Sequence, residues 1–219
     1  MDENRIIELE DEGIVTATLR RLSPAKKEKL YRAALREFGE NVFGRVSLDR
    51  IAAAAGVSKG SIFQYFTNKE NLLQFTSAVF IDEYRQSFDA SSGHESAVKT
   101  IDKIRDFFVV QLEYWQASTE QFAFYRKMCY ENDHALVRPF VYRMLEIRKE
   151  YVVRIVARGV RVGEIRQDID PGAMAQILLW VFDGLLRHYA LDVTTGSRRR
   201  YPGKTLDETM ALLFDGLRG

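Results

Sequence analysis

Apolar residues recur at helical spacing along nearly the whole chain, and strand-like alternation is weak throughout. The first strong start signal is Ser23-Pro24, a cap residue followed by proline at the first helical position. The helix it opens carries Leu30, Tyr31, Ala34, Leu35 and Phe38 on one face, and a loop is predicted from Gly39 to Val46. Ser47 caps a short helix with Leu48, Ile51, Ala52 and Ala55 on its apolar side. Ala55-Gly56-Val57-Ser58 reads as a tight turn, and Ser58 caps a third short helix reaching about Tyr65. A longer helix opens at Asn68 and runs to about Ala90.

Beyond Ser92-Gly93 the pattern predicts helices over about 95–116, from 119, over 134–162, from Asp170-Pro171 to about Leu191, and from Thr205 onward. Ser92 with Glu95, Ser118 with Gln121, and Thr205 with Glu208 have capping-box spacing. Before Ser23, Val15, Leu19 and Leu22 suggest a short helix, interrupted upstream by Gly13. The fold class is all-α: about nine helices plus an N-terminal extension. Three segments follow: an extension over 1–23, a headpiece over 24–70 and a helical body over 71–219.

Composition narrows the class. The chain has 219 residues, 46% of them hydrophobic and 29% charged, as expected of a globular protein with a full core. One cysteine, Cys129, allows no intrachain disulfide. No apolar run approaches the ~18 residues of a membrane span. The start of the chain lacks a signal-peptide pattern, so a cytoplasmic protein is expected. The formal charge of +1 is unevenly spread. Residues 24–70 hold nine Lys/Arg against five Asp/Glu, a net of +4, whereas residues 1–23 hold three against six, a net of −3. A local basic excess favours phosphate contact.

The chemistry is concentrated between Ser47 and Lys69. Two short helices joined by a glycine turn make a helix-turn-helix, with Gly56 where the backbone needs φ > 0. Ile51, Val57, Ile62 and Phe66 form a small core, which leaves Lys59, Gly60, Phe63 and Gln64 on the other face of the third helix. Such a face suits the major groove. Lys59 can donate to guanine, Gln64 can pair with adenine, Phe63 can meet a thymine methyl, and Gly60 admits close approach. Ser47, Ser58, Ser61, Tyr65, Thr67 and Lys69 surround it with hydroxyls, helix-start N–H groups and an ammonium suited to phosphates.

Residues 24–79 resemble the N-terminal domain of the tetracycline-repressor (TetR) family. The resemblance rests on the helix ending at Phe38, then Ser47, Ile51-Ala52, Ala55-Gly56-Val57-Ser58, Gly60, Phe63, Tyr65-Phe66, Asn68-Lys69-Glu70 and Leu72-Leu73. Gly163-Glu164-Ile165-Arg166 before Asp170-Pro171 resembles a later family segment. Where the family usually has glycine after its first helix this chain has Val42, and Asn41 is expected to take the left-handed conformation instead. The resemblance implies a homodimer on a near-palindromic operator in double-stranded DNA, usually a repressor released by a small molecule in the body.

The body is rich in aromatic residues, mostly expected as core. The resemblance places an effector pocket among its helices. Candidate lining residues are Tyr114, Phe122, Tyr125, Cys129, Phe140, Met144, Trp180 and His188, which suit an apolar or aromatic effector. Dimerisation is expected through 171–191, with Ile177, Leu178, Val181 and Leu185, and through 205–217, with Met210, Leu213, Phe214 and Leu217. Arg198 to Arg200 read as a solvated run, and the extension as an extra helix packed on the headpiece. His94, His134 and His188 lack metal-ligand spacing, and no cofactor or catalytic motif is present. Two alternatives stand beside the effector-released repressor. One is a DNA-binding dimer whose body only dimerises or docks a protein. The other is a ligand-binding enzyme with a vestigial headpiece.

Overall fold

The computed structural model describes residues 2–89, 99–132, 134–194, 207–209 and 211–213. Among them the regular elements are helices, with no strand. Ten can be followed: α1 (Glu3–Asp11), α2 (Ala17–Arg20), α3 (Pro24–Glu40), α4 (Leu48–Ala55), α5 (Lys59–Phe66), α6 (Lys69–Asp89), α7 (Thr100–Ala117), α8 (Thr119–Tyr130), α9 (Arg138–Arg161) and α10 (Pro171–Thr194). The all-α fold class is therefore observed. Residues 207–209 and 211–213 are also helical. His94, Arg198 to Arg200, Met210, Phe214, Leu217 and the Ser92 and Thr205 caps lie outside the described residues.

The chain forms two compact units. The first comprises residues 1–85 with 118–141 and the second residues 86–117 with 142–219. In the first unit α8 lies along α3. Gly39 makes this possible: a Cβ there would stand 3.0 Å from the Phe124 nitrogen and 3.3 Å from the Ala123 carbonyl carbon. That obstacle is backbone, which cannot swing aside. It explains why α3 runs past Phe38 to Glu40, where the glycine had suggested a loop. Phe80, Phe124 and Phe140 close a ring cluster beside it, with centroids 5.1–5.4 Å apart. Gly39→Val is expected to force the two helices apart and destabilise the unit by about 2–3 kcal/mol, read by denaturant melts.

Local start signals were followed unevenly. Ser47, Ser58 and Asp170 accept from backbone N–H groups of Arg50, Ser61 and Ala173, as N-caps do. Ser118 makes no such bond, because its backbone (φ −113°, ψ 66°) is not in cap geometry. Asn41 is extended (φ −125°, ψ 142°) and not left-handed, and its side-chain amide donates to the Glu37 carbonyl. With that bond and the packed glycine just before it, the chain leaves α3 without a positive-φ residue.

In the second unit α7, α9 and α10 supply the core. Phe108 stacks on Phe182 at 4.6 Å and Phe107 on Tyr151 at 4.9 Å, with Trp115, Met144, Val152 and Val156 buried beside them. Arg148 is also buried, its guanidinium 2.6 Å from the Asp183 carboxylate and its Nε donating to the Met144 carbonyl.

Candidate DNA-reading site

The site is built on α3, α4 and α5. Glu37 is the fixing point. Its side chain is only 7% exposed, accepts the Ser47 N–H at 2.9 Å, and holds the Arg50 guanidinium through two nitrogens (Nη2 to Oε1 at 2.5 Å, Nε to Oε2 at 2.9 Å). One carboxylate thus ties α3 to the first turn of α4. Burial pushes the Glu37 carboxyl up, but the hydrogen bonds from Arg50 and Ser47 and the Arg50 charge outweigh it, so it sits below its ordinary value. A depressed carboxyl adds stability that is present above its unfolded-state value, ~4.3, and is lost as the pH falls through the folded-state value. Glu37→Gln should remove about 2 kcal/mol at neutral pH. It should also flatten the acid side of the stability profile, measured by thermal melts between neutral and acid pH.

Gly56, at φ +71°, makes the left-handed turn between α4 and α5. Ile62, Tyr65 and Phe66 then face the core, and Lys59, Gly60, Phe63 and Gln64 stand on the exposed side of α5. Phe63 is 46% exposed, a large apolar ring facing solvent. The Lys59 ammonium donates to Asp49 at 2.9 Å, an exposed pair of the kind that contributes little and that a phosphate or base can replace.

The surrounding residues divide. Ser58 and Ser61 are joined hydroxyl to hydroxyl at 2.8 Å, and Ser47 is committed to its cap. Tyr65 is 8% exposed, so most of its ring belongs to the core. Lys69 donates to the Phe43 carbonyl at 2.9 Å and lies 4.5 Å above the Phe43 ring, pinning the 3-10 turn Phe43–Arg45. Thr67 is the one non-glycine residue with positive φ among those described (φ 62°, ψ −47°). It centres a γ-turn closed by the Asn68 N–H on the Phe66 carbonyl, a strained form for a β-branched residue. Nothing in its sequence neighbourhood signals this.

The suggested effector-lining residues fall in both units. Phe122, Tyr125 and Phe140 are core residues of the first, with Cys129 half-buried. In the second, Met144 is buried and Tyr114 half-buried against Trp115. Trp180 and His188 are exposed, Trp180 by 66%. Among the described residues no group of His, Cys, Asp and Glu is placed to hold a metal. No described helix is long and apolar enough to cross a membrane.

Residues 30–74 match the family model of bacterial regulatory proteins of the tetR family. The headpiece is therefore similar to that of tetR-family regulators. The HTH-type transcriptional repressor Rv1474c of Mycobacterium tuberculosis is 25% identical over 76% of this chain and 83% of its own. The fold agrees with the fatty acid degradation regulator FadR of Bacillus halodurans at a TM-score of 0.72 and 19% identity, over 90% of this chain and 98% of that one. It also agrees with FadR of Bacillus subtilis, solved in complex with stearoyl-CoA, at 0.69 and 16%, over 86% and 97%. At those identities the two structures speak to the fold alone, and the family model and the repressor to a likeness to transcriptional regulators.

Proposed function

We propose that this protein is a dimeric repressor that reads a near-palindromic operator with α5 and leaves it when an apolar effector occupies the body over 71–219. The observation that carries the DNA-reading part is the exposed face of α5, where Lys59, Gly60, Phe63 and Gln64 stand together while Ile62 and Phe66 are fully buried. Ser47, Ser58, Ser61, Thr67, Lys69 and the rim of Tyr65 are the phosphate-contacting surround. Regulators of this family bind DNA operators and act as dimers. In this chain Ile177 (44% exposed) and Trp180 (66%) form an outward apolar stripe on α10 with half-buried Val181, and they supply the dimer face. Leu178 is buried within its own protomer and is not part of that face.

The aromatic character of Tyr114, Phe122, Tyr125 and Phe140, with Cys129 and Met144, supports an apolar effector. Trp180 and His188 serve the dimer face and its rim better than an enclosed cavity. One structural neighbour binds stearoyl-CoA, which makes long-chain acyl-CoA the first probe. Effector and operator must weaken each other by the same factor. Stearoyl-CoA is titrated calorimetrically into the protein with and without a saturating operator duplex. The expected result is a lower affinity in the DNA complex, matched by an equal loss of operator affinity at saturating acyl-CoA. Tight acyl-CoA binding that leaves operator affinity unchanged would overturn the mechanism.

A further inference from the structure

The last four carbonyls of a helix have no partner within it. In α5 these belong to Phe63, Gln64, Tyr65 and Phe66. Thr67 N–H serves Phe63, and Asn68 N–H serves Phe66. The middle two are served by a single residue far earlier in the chain. Thr16 donates its hydroxyl to the Gln64 carbonyl at 2.6 Å and its N–H to the Tyr65 carbonyl at 3.0 Å.

Thr16 is also the N-cap of α2, where a threonine hydroxyl ordinarily accepts from its own helix. Here it makes no such bond, and the local cap is forgone for a contact 48 residues away. The segment is held on its other side too. Asn71, in the first turn of α6, donates from its side chain to the Gly13 carbonyl at 3.0 Å, and Arg5 pairs with Asp82 further along α6 at 3.2 Å. Ile6, Leu9, Val15 and Leu19 are all buried. Residues 13–16 therefore bridge the end of α5 and the start of α6, across the strained turn at Thr67. Strain of that kind persists only where neighbouring contacts over-determine it.

We propose that Thr16 is a positioning residue for operator reading, setting the last turn of α5, and with it Gln64, against α6. The proposal rests on α5 being the reading helix. It gives the acidic extension a role that needs no DNA contact, in keeping with its net charge of −3 and the Arg20 pairing to Glu10 at 3.1 Å.

The test uses the full-length protein and measures affinity for the operator recovered from genomic DNA and for random duplex, at one salt concentration. Thr16→Val keeps the shape and removes the donor, Thr16→Ala removes it without a new methyl, and Thr16→Ser keeps it. The Val and Ala variants are expected to lose operator affinity about fivefold to tenfold, the scale of one net hydrogen bond. Random-duplex affinity and its salt slope should not change, and the Ser variant should keep the wild-type ratio. A Ser variant that falls as far as the other two would overturn the proposal, since the hydroxyl would not be the agent. Gln64→Ala is measured alongside. If it lowers the operator-to-random ratio while all three Thr16 variants leave it unchanged, the proposal fails and the reading of α5 stands. If Gln64→Ala leaves the ratio unchanged, the reading itself fails. Should the Val and Ala variants melt below the assay temperature, amide exchange of Gln64 to Asn68 in the Ser variant decides. Protection as in the wild type supports the proposal, and its loss overturns it.

Discussion

Gln64→Ala is expected to cost the cognate operator about 1–3 kcal/mol, roughly fivefold to 150-fold, and to relax base preference at one position in each half-site. Binding to random duplex should hardly change, because Gln64 is exposed, caps nothing with its side chain, and carries no charge to lose. Lys59→Ala should also relax sequence choice, but less cleanly. Its ammonium is paired with Asp49 at 2.9 Å, and without it a bare carboxylate faces the phosphates. Lys59→Ala is therefore expected to weaken random binding too, and Gln64→Ala is the sharper probe. Competition titrations with operator and random duplexes read both. Equal losses on the two DNAs for Gln64→Ala would show that α5 does not read bases.

Trp180→Asp is expected to be the most damaging surface substitution in the molecule. Trp180 is 66% exposed in the protomer, so the folded chain should tolerate a charge there with little loss of stability. In a symmetric dimer the same position is used twice, and each copy would bury an unpaired carboxylate at a cost of several kcal/mol. The expected result is a stable monomer by sedimentation, with operator affinity lower by at least about a hundredfold. A Trp180→Asp protein that still sediments as a dimer would place the interface elsewhere. Ile177→Asp, 44% exposed on the same stripe, should follow it.

The helix-turn-helix was legible in the sequence because its determinants are local. The Ser47 and Ser58 caps, the positive φ of Gly56 and the apolar spacing of Ile51, Ile62 and Phe66 each act within a few residues, and each is found as read. What was not legible depends on residues distant in sequence. Gly39 looked like a helix stop, but its missing Cβ is what lets Phe124, 85 positions on, approach. Asn41 looked like a left-handed corner, but its amide has a partner in the Glu37 carbonyl and the backbone stays extended. Lys69 reads as a phosphate contact, and nothing local in the sequence shows that its ammonium also donates to the Phe43 carbonyl, 26 positions earlier. Thr16 carried no signal at all. In the body, helical spacing shows which face of α10 is apolar but not which apolar residues are covered. Leu178 and Trp180 look alike in the sequence and differ in exposure by 65 percentage points (66% against 1%).

The most direct measurement incubates the purified protein with sheared genomic DNA at about 150 mM salt, where non-specific contacts are weak, and sequences what is retained. A few enriched fragments sharing an inverted repeat are expected, with half-sites about one helical turn (~34 Å) apart. Retention spread evenly over the genome, or enrichment of fragments that share no inverted repeat, would contradict a dimer that reads DNA with two copies of α5.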